Sequence, residues 1–465
     1  MKILEARDYV VKNLKYALNP QSIAVVGASR YPTKVGYKVV YELMKWGFKG
    51  EIYPVNPRAK EILGKKCYPT LKDVDKPVDL VFVAVPAHLV TSIVNDAIAI
   101  KAKVLVVATS AFKEIGREKL QNDIVETCRK AKLPLIGPNL VGLGSPYEHF
   151  NCGFIPYLPV EGPIAMISQS GANLLAALGT SQAEHFGMSF FVGLGNKADV
   201  DFAEFIEFAG QDEHTKCLSI YIEGLDSPEA FVKSCKKVDK PIVVIKVGGS
   251  KIGVKAAFAH TASENPNSDD YYDKIIHEAG AIRAKTRQEF LDVSLALGYL
   301  PQLKGDRVVM ITNGGGAGLL SCDHFERLGM PLHELKEISP ALAQRIRAYM
   351  PMFGSPLNPV DISGTANVIQ YKGAFQQALR DPNVDGVLGA ICPTAVTDVL
   401  GVAKAAIEVY ESTKKLNKPF IMICQGGQEC HEAIKLLREH GIPAYPTAEQ
   451  AVNAMVALYN YGKNK

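Results

Sequence analysis

The 465-residue sequence predicts an α/β protein of three doubly wound parallel-sheet domains. Continuously apolar runs alternate with amphipathic segments, which is typical of parallel strands buried on both faces and separated by helices. A similar unit also begins three times, at "SIAVVGAS" (Ser22), "PIAMISQSG" (Pro163) and "RVVMITNGGGAG" (Arg307). Repeats at such long intervals indicate whole domains rather than a solenoid.

Each repeat predicts a series of buried strands. The first contains "IAVVGA", "EIYPVNP", "VDLVFVAVP", "KVLVVATS" and "LPLIGPN". The second contains "IAMISQS", "SFFVGLGN", "CLSIYIEG" and "PIVVIKVGG", and the third "VVMITNGG", "VDGVLGAICP", "PFIMICQGG" and "IPAYP". Turn-rich segments at 146–163 and 299–306 separate the repeats. We therefore expect domains at residues 1–150, 160–300 and 305–465.

Composition excludes several classes of function. Hydrophobic residues make up 47% and charged residues 22%, and a net charge of +4 without a basic run does not indicate nucleic-acid binding. Nine cysteines with no C-x-x-C pair argue against a disulfide framework or a zinc site and are typical of a reducing cytoplasm. We find no signal sequence and no apolar run long enough to cross a membrane.

The first glycine-rich turn, "VVGASRYPTKVG", only partly matches a dinucleotide-binding loop. Ser29 stands where G-x-G-x-x-G requires glycine, and the next strand ends at Asn56 without an acid to bind a ribose hydroxyl, which argues against an NAD-dependent oxidoreductase. Two interpretations remain open: a turn with no ligand, or an anion site at a helix N-terminus. In the second interpretation, extra phosphate charge, such as that of coenzyme A, is met by Arg58, Lys60, Lys65 and Lys66.

The second repeat places three chemically distinct groups after strands of one predicted sheet. In "ISQSGANLLAAL", a helix opens at Ser170, Gly171 and Ala172, and its free N–H groups favour a phosphate. Glu223 follows the strand in "YIEGLDSPEAF", where it either caps the next helix, near Pro228, or belongs to a site. His260 follows the next strand, in "AAFAHTASE". Together they predict a nucleophilic imidazole, an orienting carboxylate and a phosphate cradle.

The sequence resembles the alpha subunit of the NDP-forming acyl-CoA synthetases, which include ADP-forming acetyl-CoA synthetase and succinyl-CoA synthetase. The resemblance covers nearly the whole chain. It rests on motifs in family order: "VVGASRYPTKVG", "YPVNP", "AVPAHLV", "IGPNLVG", "ISQSGA", "GLGNKADVD", "YIEG", "KAAFAHT", "ITNGGGAG" and "LNPVDISG". It implies a Rossmann-like CoA-binding domain followed by two flavodoxin-like domains.

The resemblance also implies a reaction. Acyl-CoA, ADP and phosphate would be interconverted with acid, CoA and ATP through an acyl phosphate and a phosphohistidine, most simply with acetate as the acid. By this resemblance, His260 would be the phosphorylated residue and Glu223 would orient its imidazole. The phosphate site comprises Ser168, Ser170, Gly171 and Ala172. The coenzyme A site comprises Gly27, Ala28, Ser29, Val35, Gly36, Pro54, Asn56, Val85 and Pro86.

Two features leave alternatives open. The family loop reads S-H-T-G, but Ala259 and Ala262 replace its serine and glycine, so a CoA-binding regulatory or scaffold protein of reduced activity is the second hypothesis. The third repeat's "TNGGGAG" either binds an anion or, as we favour, has a structural and interface role.

None of the sequence motifs predicts a nucleotide-binding site. No G-x-x-x-x-G-K-[ST] occurs before the chain stops at Lys465. The family resemblance implies that the ADP/ATP and Mg²⁺ site lies on a partner, an ATP-grasp beta subunit in an α2β2 heterotetramer, and we expect a cytoplasmic location. No metal site is expected on this chain, and neither a nucleic acid nor a membrane is expected as a partner.

Overall fold

The computed structural model describes residues 5–248, 269–328 and 335–463. They form an α/β structure with three main sheets, which confirms the predicted fold class. The residues cluster into two compact units. One comprises Met1–Ala183 with Gly187–Lys285 and contains the first two sheets; the other comprises Glu184–Phe186 with Thr286–Lys465 and contains the third.

The first sheet forms from the predicted apolar runs, whose strands are almost fully buried. Two short helices precede it, α1 (Asp8–Asn13) and α2 (Lys15–Leu18). Its elements and a small hairpin, β3–β4, are β1 (Ser22–Val26), α3 (Val35–Lys45), β2 (Glu51–Val55), β3 (Glu61–Ile62), β4 (Lys65–Lys66), β5 (Leu80–Val83), α4 (Ala87–Ala99), β6 (Val104–Val107), α5 (Glu118–Lys130) and β7 (Leu135–Ile136).

The strand order of the first sheet is β2-β1-β5-β6-β7, and all its pairs are parallel. The chain leaves β1 to one side and returns on the other, so the topological switch point lies between β1 and β5. Ligands of doubly wound sheets bind at such points, beyond the carboxyl ends of the strands. The turns after β1 and β5 are therefore the places to look for a ligand.

The second sheet has the same plan with a hairpin added at one edge. Its elements are β8 (Gly142–Ser145), β9 (Phe150–Gly153), β10 (Glu161–Ser168), α6 (Gly171–Glu184), β11 (Met188–Gly193), α7 (Phe202–Gln211), β12 (Cys217–Ile222), α8 (Pro228–Lys236), β13 (Ile242–Lys246), α9 (Asp269–Glu278) and β14 (Ile282–Ala284). The order is β14-β13-β12-β10-β11-β8-β9. The switch point lies between β10 and β12, so the turns after these two strands flank it.

The β8–β9 hairpin differs from the prediction in two ways. It pairs antiparallel, and it joins the second sheet through β11, although the sequence prediction extended the first domain to residue 150. The segment "GLGSPYEHFNCG" has no continuous apolar run, so periodicity did not identify it as two strands. The change from the first to the second sheet therefore comes between β7 and β8, and the second sheet is mixed.

The third sheet lies in the second unit and repeats the doubly wound plan. Its elements are α10 (Arg287–Tyr299), β15 (Val308–Thr312), α11 (Gly315–Leu328), α12 (Pro340–Arg347), β16 (Val360–Asp361), α13 (Val368–Arg380), β17 (Gly386–Ile391), α14 (Val399–Thr413), β18 (Phe420–Cys424), α15 (Gly427–Glu439), β19 (Ala444–Tyr445) and α16 (Ala448–Lys463). The strands are parallel in the order β16-β15-β17-β18-β19.

A buried ion network joins the first two sheets. Asp199, which follows β11, is fully buried, and its Oδ1 lies 2.7 Å from Nε of Arg129 on α5 and 2.5 Å from a guanidinium nitrogen of Arg7. Its Oδ2 accepts a hydrogen bond from the N–H of Leu135 in β7, at 3.2 Å. Arg7 also binds Glu204 Oε1 at 2.9 Å. One carboxylate thus ties α5 and β7 of the first sheet to the second.

Replacing Arg7 by alanine should destabilise the first unit by about 3 kcal/mol, because buried Asp199 and Glu204 would lose a cation. Burial raises the pKa of Glu204 and Arg7 opposes that rise. A buried carboxyl with a raised pKa destabilises the folded state only while it is ionised. The loss in free energy of unfolding caused by Arg7→Ala should therefore become smaller as the pH falls from about 8 to about 5 and Glu204 gains a proton. Denaturant unfolding at both pH values measures this. Lys12→Ala, an exposed change on α1, is the control; an equal loss in both variants would contradict the network's role.

Candidate functional site

A cavity of about 460 Å³ lies in the first unit and brings two predicted sites together. Its lining includes Val35 and Val85 from the predicted coenzyme A set and Ser170, Gly171 and Ala172 from the predicted phosphate set. The other lining residues are Ala84, Ala108, Thr109, Ser110, Asn139, Leu140, Val141, Phe154, Gln169, Gly195 and Asn196. The cavity therefore lies between the carboxyl ends of strands from both sheets.

The turn after β1 is closely packed against the helix that follows it. Gly27 has a φ of +90°, and a Cβ there would lie 2.4 Å from the carbonyl oxygen of Ala84. A Cβ on Gly36, in the first turn of α3, would lie 1.9 Å from the carbonyl oxygen of Gly27. Close helix–strand packing is the role of the last glycine in dinucleotide-type turns. The turn thus keeps that packing although Ser29 replaces the middle glycine.

The side-chain amide of Asn56 forms hydrogen bonds that hold the same turn. Its Nδ2 donates to the carbonyl oxygen of Ala28 at 2.7 Å, and its Oδ1 accepts from the N–H of Arg58 at 2.8 Å. In a dinucleotide site an acid at this strand end binds ribose. Here the side chain at the end of β2 instead fixes the position of the turn after β1.

The remaining members of the predicted coenzyme A set lie around this turn and do not line the cavity. Pro54 is buried within β2, Ser29 is half-buried, and Pro86 is exposed at the start of α4. Of the four basic residues, Arg58, Lys60 and Lys66 are exposed and Lys65 is half-buried, so they are accessible to an anionic ligand.

The turn after β10 presents the N-terminus of α6 to the cavity. Ser168 is 1% exposed and does not line the cavity. Its hydroxyl accepts from the N–H of Ser170 at 3.2 Å and donates to the Ser170 carbonyl oxygen at 2.8 Å. Ser168 thus closes the turn, and the residues of this segment that line the cavity are Gln169, Ser170, Gly171 and Ala172. Free N–H groups at such a helix start favour an anion.

Glu223 directly follows β12, on the other side of the switch point from α6. The N-cap of α8 is Ser227, so the interpretation of Glu223 as a helix cap is wrong. The N–H groups of Glu223 and Gly224 both donate to Oε1 of Gln169, at 2.9 and 3.0 Å. Gln169 thereby links the turn that carries Glu223 to the turn that opens α6.

Buried groups surround this junction. Burial, and then the charge of Glu223, raises the pKa of Tyr221 to about 12, and its hydroxyl accepts from Nδ2 of Asn173 at 2.9 Å. Burial, with the nearby charge of Arg283, lowers the pKa of Lys246 to about 8, and Asp269 and Glu223 oppose that shift. Lys246 ends β13, with its ammonium 4.2 Å from the ring centre of Tyr272. The strand ends thus combine an acid, a buried cation and a helix start whose N–H groups favour an anion.

Several polar residues of the cavity were missed by the sequence analysis. Asn139 has a φ of +64° and donates from Nδ2 to Oδ1 of Asn196 at 3.3 Å. Thr109 donates from its hydroxyl to the carbonyl oxygen of Val85 at 2.7 Å, which ties the loops after β6 and β5 together. The motif "IGPNLVG" was quoted for the family resemblance, but no chemistry was assigned to its asparagine.

His260 lies outside the described residues, as do Ala259 and Ala262. In the described part of the chain, no cluster of three or more histidine, cysteine, aspartate or glutamate side chains is arranged to hold a metal ion. Within the same residues, none of the helices combines the length and the apolar character needed to cross a bilayer. The nine cysteines are free thiols.

Comparison with known proteins identifies each sheet region. Residues 21–145 match the CoA binding domain, residues 161–297 the succinyl-CoA ligase like flavodoxin domain, and residues 308–465 the ligase-CoA domain. The chain is 40% identical over 462 residues to the acetate–CoA ligase [ADP-forming] I subunit alpha of Pyrococcus furiosus, with 97% of this chain and 98% of the relative covered. The chain belongs to the ADP-forming acyl-CoA synthetase family. The predicted resemblance is thereby confirmed.

Other members of the ADP-forming acyl-CoA synthetase family include a longer chain and a solved structure. The acetate–CoA ligase [ADP-forming] of Methanocaldococcus jannaschii is 36% identical over 99% of this chain, which spans only 64% of that relative. A solved structure of dinucleotide-forming acetyl-coenzyme A synthetase 1 from Ca. Korarchaeum cryptofilum, in complex with phosphate and ADP, has a TM-score of 0.92 and 37% identity, with 97% of each chain covered. The family fold therefore extends over nearly the whole chain.

Proposed function

We propose that this chain is the alpha subunit of an ADP-forming acyl-CoA synthetase, which interconverts acyl-CoA, ADP and phosphate with acid, CoA and ATP. One observation carries the proposal: a single cavity is lined by Val35 and Val85 and by Ser170, Gly171 and Ala172. Coenzyme A at the first turn would direct its thioester toward a phosphate at the start of α6. Reacting groups held together in this way gain much of the rate enhancement from proximity alone.

The first step joins phosphate to the acyl group. A phosphate oxygen attacks the thioester carbonyl carbon, the carbon–sulfur bond breaks, and the CoA thiolate leaves and takes up the phosphate proton. The product is an acyl phosphate. The N–H groups at the start of α6 would hold the phosphate and stabilise its charge in this acyl transfer, and would stabilise the phosphoryl group in the transfer that follows.

The second step uses His260, which the family resemblance assigns as the phosphorylated residue. An imidazole nitrogen attacks phosphorus, the bond from phosphorus to the acyl oxygen breaks, and the carboxylate leaves. Glu223 accepts a hydrogen bond from the other ring nitrogen and holds the reactive tautomer. The place of Glu223 at the switch point, beside the turn that opens α6, supports this role.

The third step needs a partner subunit. A phosphate oxygen of ADP attacks the phosphohistidine, the phosphorus–nitrogen bond breaks, and ATP forms. We assign the ADP/ATP and Mg²⁺ site to an ATP-grasp beta subunit and the assembly to an α2β2 heterotetramer. The name "subunit alpha" of the P. furiosus relative supports a second subunit. The nine free thiols support a cytoplasmic location.

The cavity favours a small monocarboxylic acid such as acetate. Among the described residues that line it, none carries a charged side chain, so the second carboxylate of a dicarboxylic acid would have no cation there. Val141 and Phe154 form an apolar wall beside Gly171, where a Cβ would lie 2.5 Å from Cγ1 of Val141. The backbone N–H of Phe154 donates to the Val141 carbonyl oxygen at 3.1 Å, which holds the two residues together.

The full complex, given acetyl-CoA and radiolabelled phosphate without ADP, should carry acid-labile, base-stable label on His260. His260→Ala should remove the label and abolish ATP synthesis, while slow phosphate-dependent release of CoA continues, because the first step needs no imidazole. Glu223→Gln should reduce labelling about 10- to 100-fold, since the tautomer is no longer held.

Equal labelling of the wild type and His260→Ala would refute the assignment of His260. An unlabelled wild type that still binds CoA would favour the second hypothesis, a CoA-binding regulatory protein.

Shortening Phe154 should change the preferred acid. In Phe154→Ala the ratio of kcat/KM for isovaleryl-CoA to that for acetyl-CoA should rise about tenfold, because a few methylenes fill the space vacated by the ring. Val35→Ala, on the coenzyme A side of the same cavity, should lower both values by a similar factor. An unchanged ratio in Phe154→Ala would show that this wall does not bound the acyl group.

A further inference from the structure

Gln169 is a buried amide between the two turns that flank the switch point of the second sheet. It is 6% exposed and lines the cavity beside Ser170. Its backbone N–H donates to the Tyr221 carbonyl oxygen at 3.1 Å. The sequence analysis assigned no role to this residue of "ISQSG".

The hydrogen bonds of Gln169 determine which way its amide points. Oε1 accepts from two backbone N–H groups, those of Glu223 and Gly224. Since backbone N–H groups can only donate, the atom they meet must be the oxygen, and Nε2 must face the other way. Within the described ranges, Nε2 donates to no protein atom. Gln169 lines the cavity, so this donor is available to a ligand that binds there.

The third sheet provides an internal comparison. There Thr312 ends β15 and is followed by Asn313 and Gly314, as Ser168 ends β10 and is followed by Gln169 and Ser170. The Thr312 hydroxyl closes the same kind of turn, with Gly314. Oδ1 of Asn313 accepts from the N–H of Cys392, beyond the adjacent strand β17, at 2.8 Å.

The two amides differ at the nitrogen. Nδ2 of Asn313 donates to the carbonyl oxygen of Cys392 at 2.9 Å and lies 3.2 Å from the Thr397 hydroxyl. The third-sheet amide is satisfied within the protein at both ends, whereas Gln169 is satisfied only at its oxygen. The free donor is therefore specific to the cavity.

We infer that Gln169 donates a hydrogen bond from Nε2 to an oxygen of the phosphate or acyl phosphate at the start of α6, while Oε1 holds the turn that carries Glu223. This inference rests on the proposed function for the identity of the anion. The donor adds a directed contact to the backbone N–H groups of α6. It also couples the anion to the position of Glu223, because both depend on one amide.

Gln169→Glu separates the two halves of this role. One carboxylate oxygen still accepts from Glu223 and Gly224, but the other faces the anion and repels it. We expect the dissociation constant of inorganic phosphate, measured by ³¹P NMR titration of the full chain, to rise about 100-fold. CoA binding, measured by calorimetry, should stay within about twofold. Gln169→Met, which removes both the donor and the acceptor without adding charge, should weaken phosphate binding by about tenfold.

The pH dependence distinguishes donation from a structural effect. As the pH falls, the introduced carboxyl gains a proton and donates again, so the Gln169→Glu defect relative to wild type should shrink. The nearby titratable groups, Glu223, Tyr221 and Lys246, are present in both proteins. Their titration therefore cancels in the ratio of the phosphate dissociation constants of the variant and the wild type at each pH. The Gln169→Met defect should not depend on pH. Gln182→Glu, which adds the same charge near the other end of α6, should bind phosphate as wild type does.

Unchanged phosphate affinity in Gln169→Glu, or an equal loss of CoA binding, would overturn the inference. A Gln169→Glu defect that persists at low pH would overturn it as well. Phosphate binding does not require turnover, so the proposed function is tested separately. A wild type that binds phosphate through Gln169 but releases no CoA from acetyl-CoA would support the inference and refute the proposed function.

Discussion

The buried carboxylate of Asp199 is the interaction on which the site depends. It follows β11 of the second sheet, yet its partners include Arg129 of α5 and the N–H of Leu135 in β7, both in the first domain. Arg7, which precedes α1, completes its charge balance. A fully buried carboxylate is costly unless it is paired, so this network favours one arrangement of the two sheets over others. The cavity exists because that arrangement brings the carboxyl ends of both sheets together.

The chemistry of the site follows from two switch points sharing one cavity. In the first sheet, close contacts of Gly27 and Gly36 and the side-chain amide of Asn56 fix the turn after β1. Backbone groups near the start of α3 are then available to a ligand. In the second sheet, Gln169 holds the turn after β12 against the turn after β10. Each turn alone is an ordinary feature of a doubly wound sheet. Their junction in one cavity supports a reaction between a thioester and phosphate.

The sequence predicted much of this arrangement because its signals are local. Apolar runs identified the buried strands, and the rule that ligands bind at carboxyl ends placed Glu223 and the start of α6 at one edge. The β8–β9 hairpin was missed because its short strands carry no periodic pattern. The role of Ser168 in closing a turn was missed because it depends on a hydrogen bond to Ser170. The orientation of the Gln169 amide depends on two N–H groups far along the chain, which no motif records.

The central claim is that coenzyme A and phosphate meet in the cavity between Val85 and Gly171. A crystal structure of the complex with CoA and phosphate bound tests it most directly. The account predicts that the CoA sulfur and the phosphate both lie in this cavity, with a phosphate oxygen about 3–3.5 Å from the position of an acyl carbon bonded to that sulfur. A CoA thiol that ends outside the cavity, or a phosphate bound away from the start of α6, would contradict it.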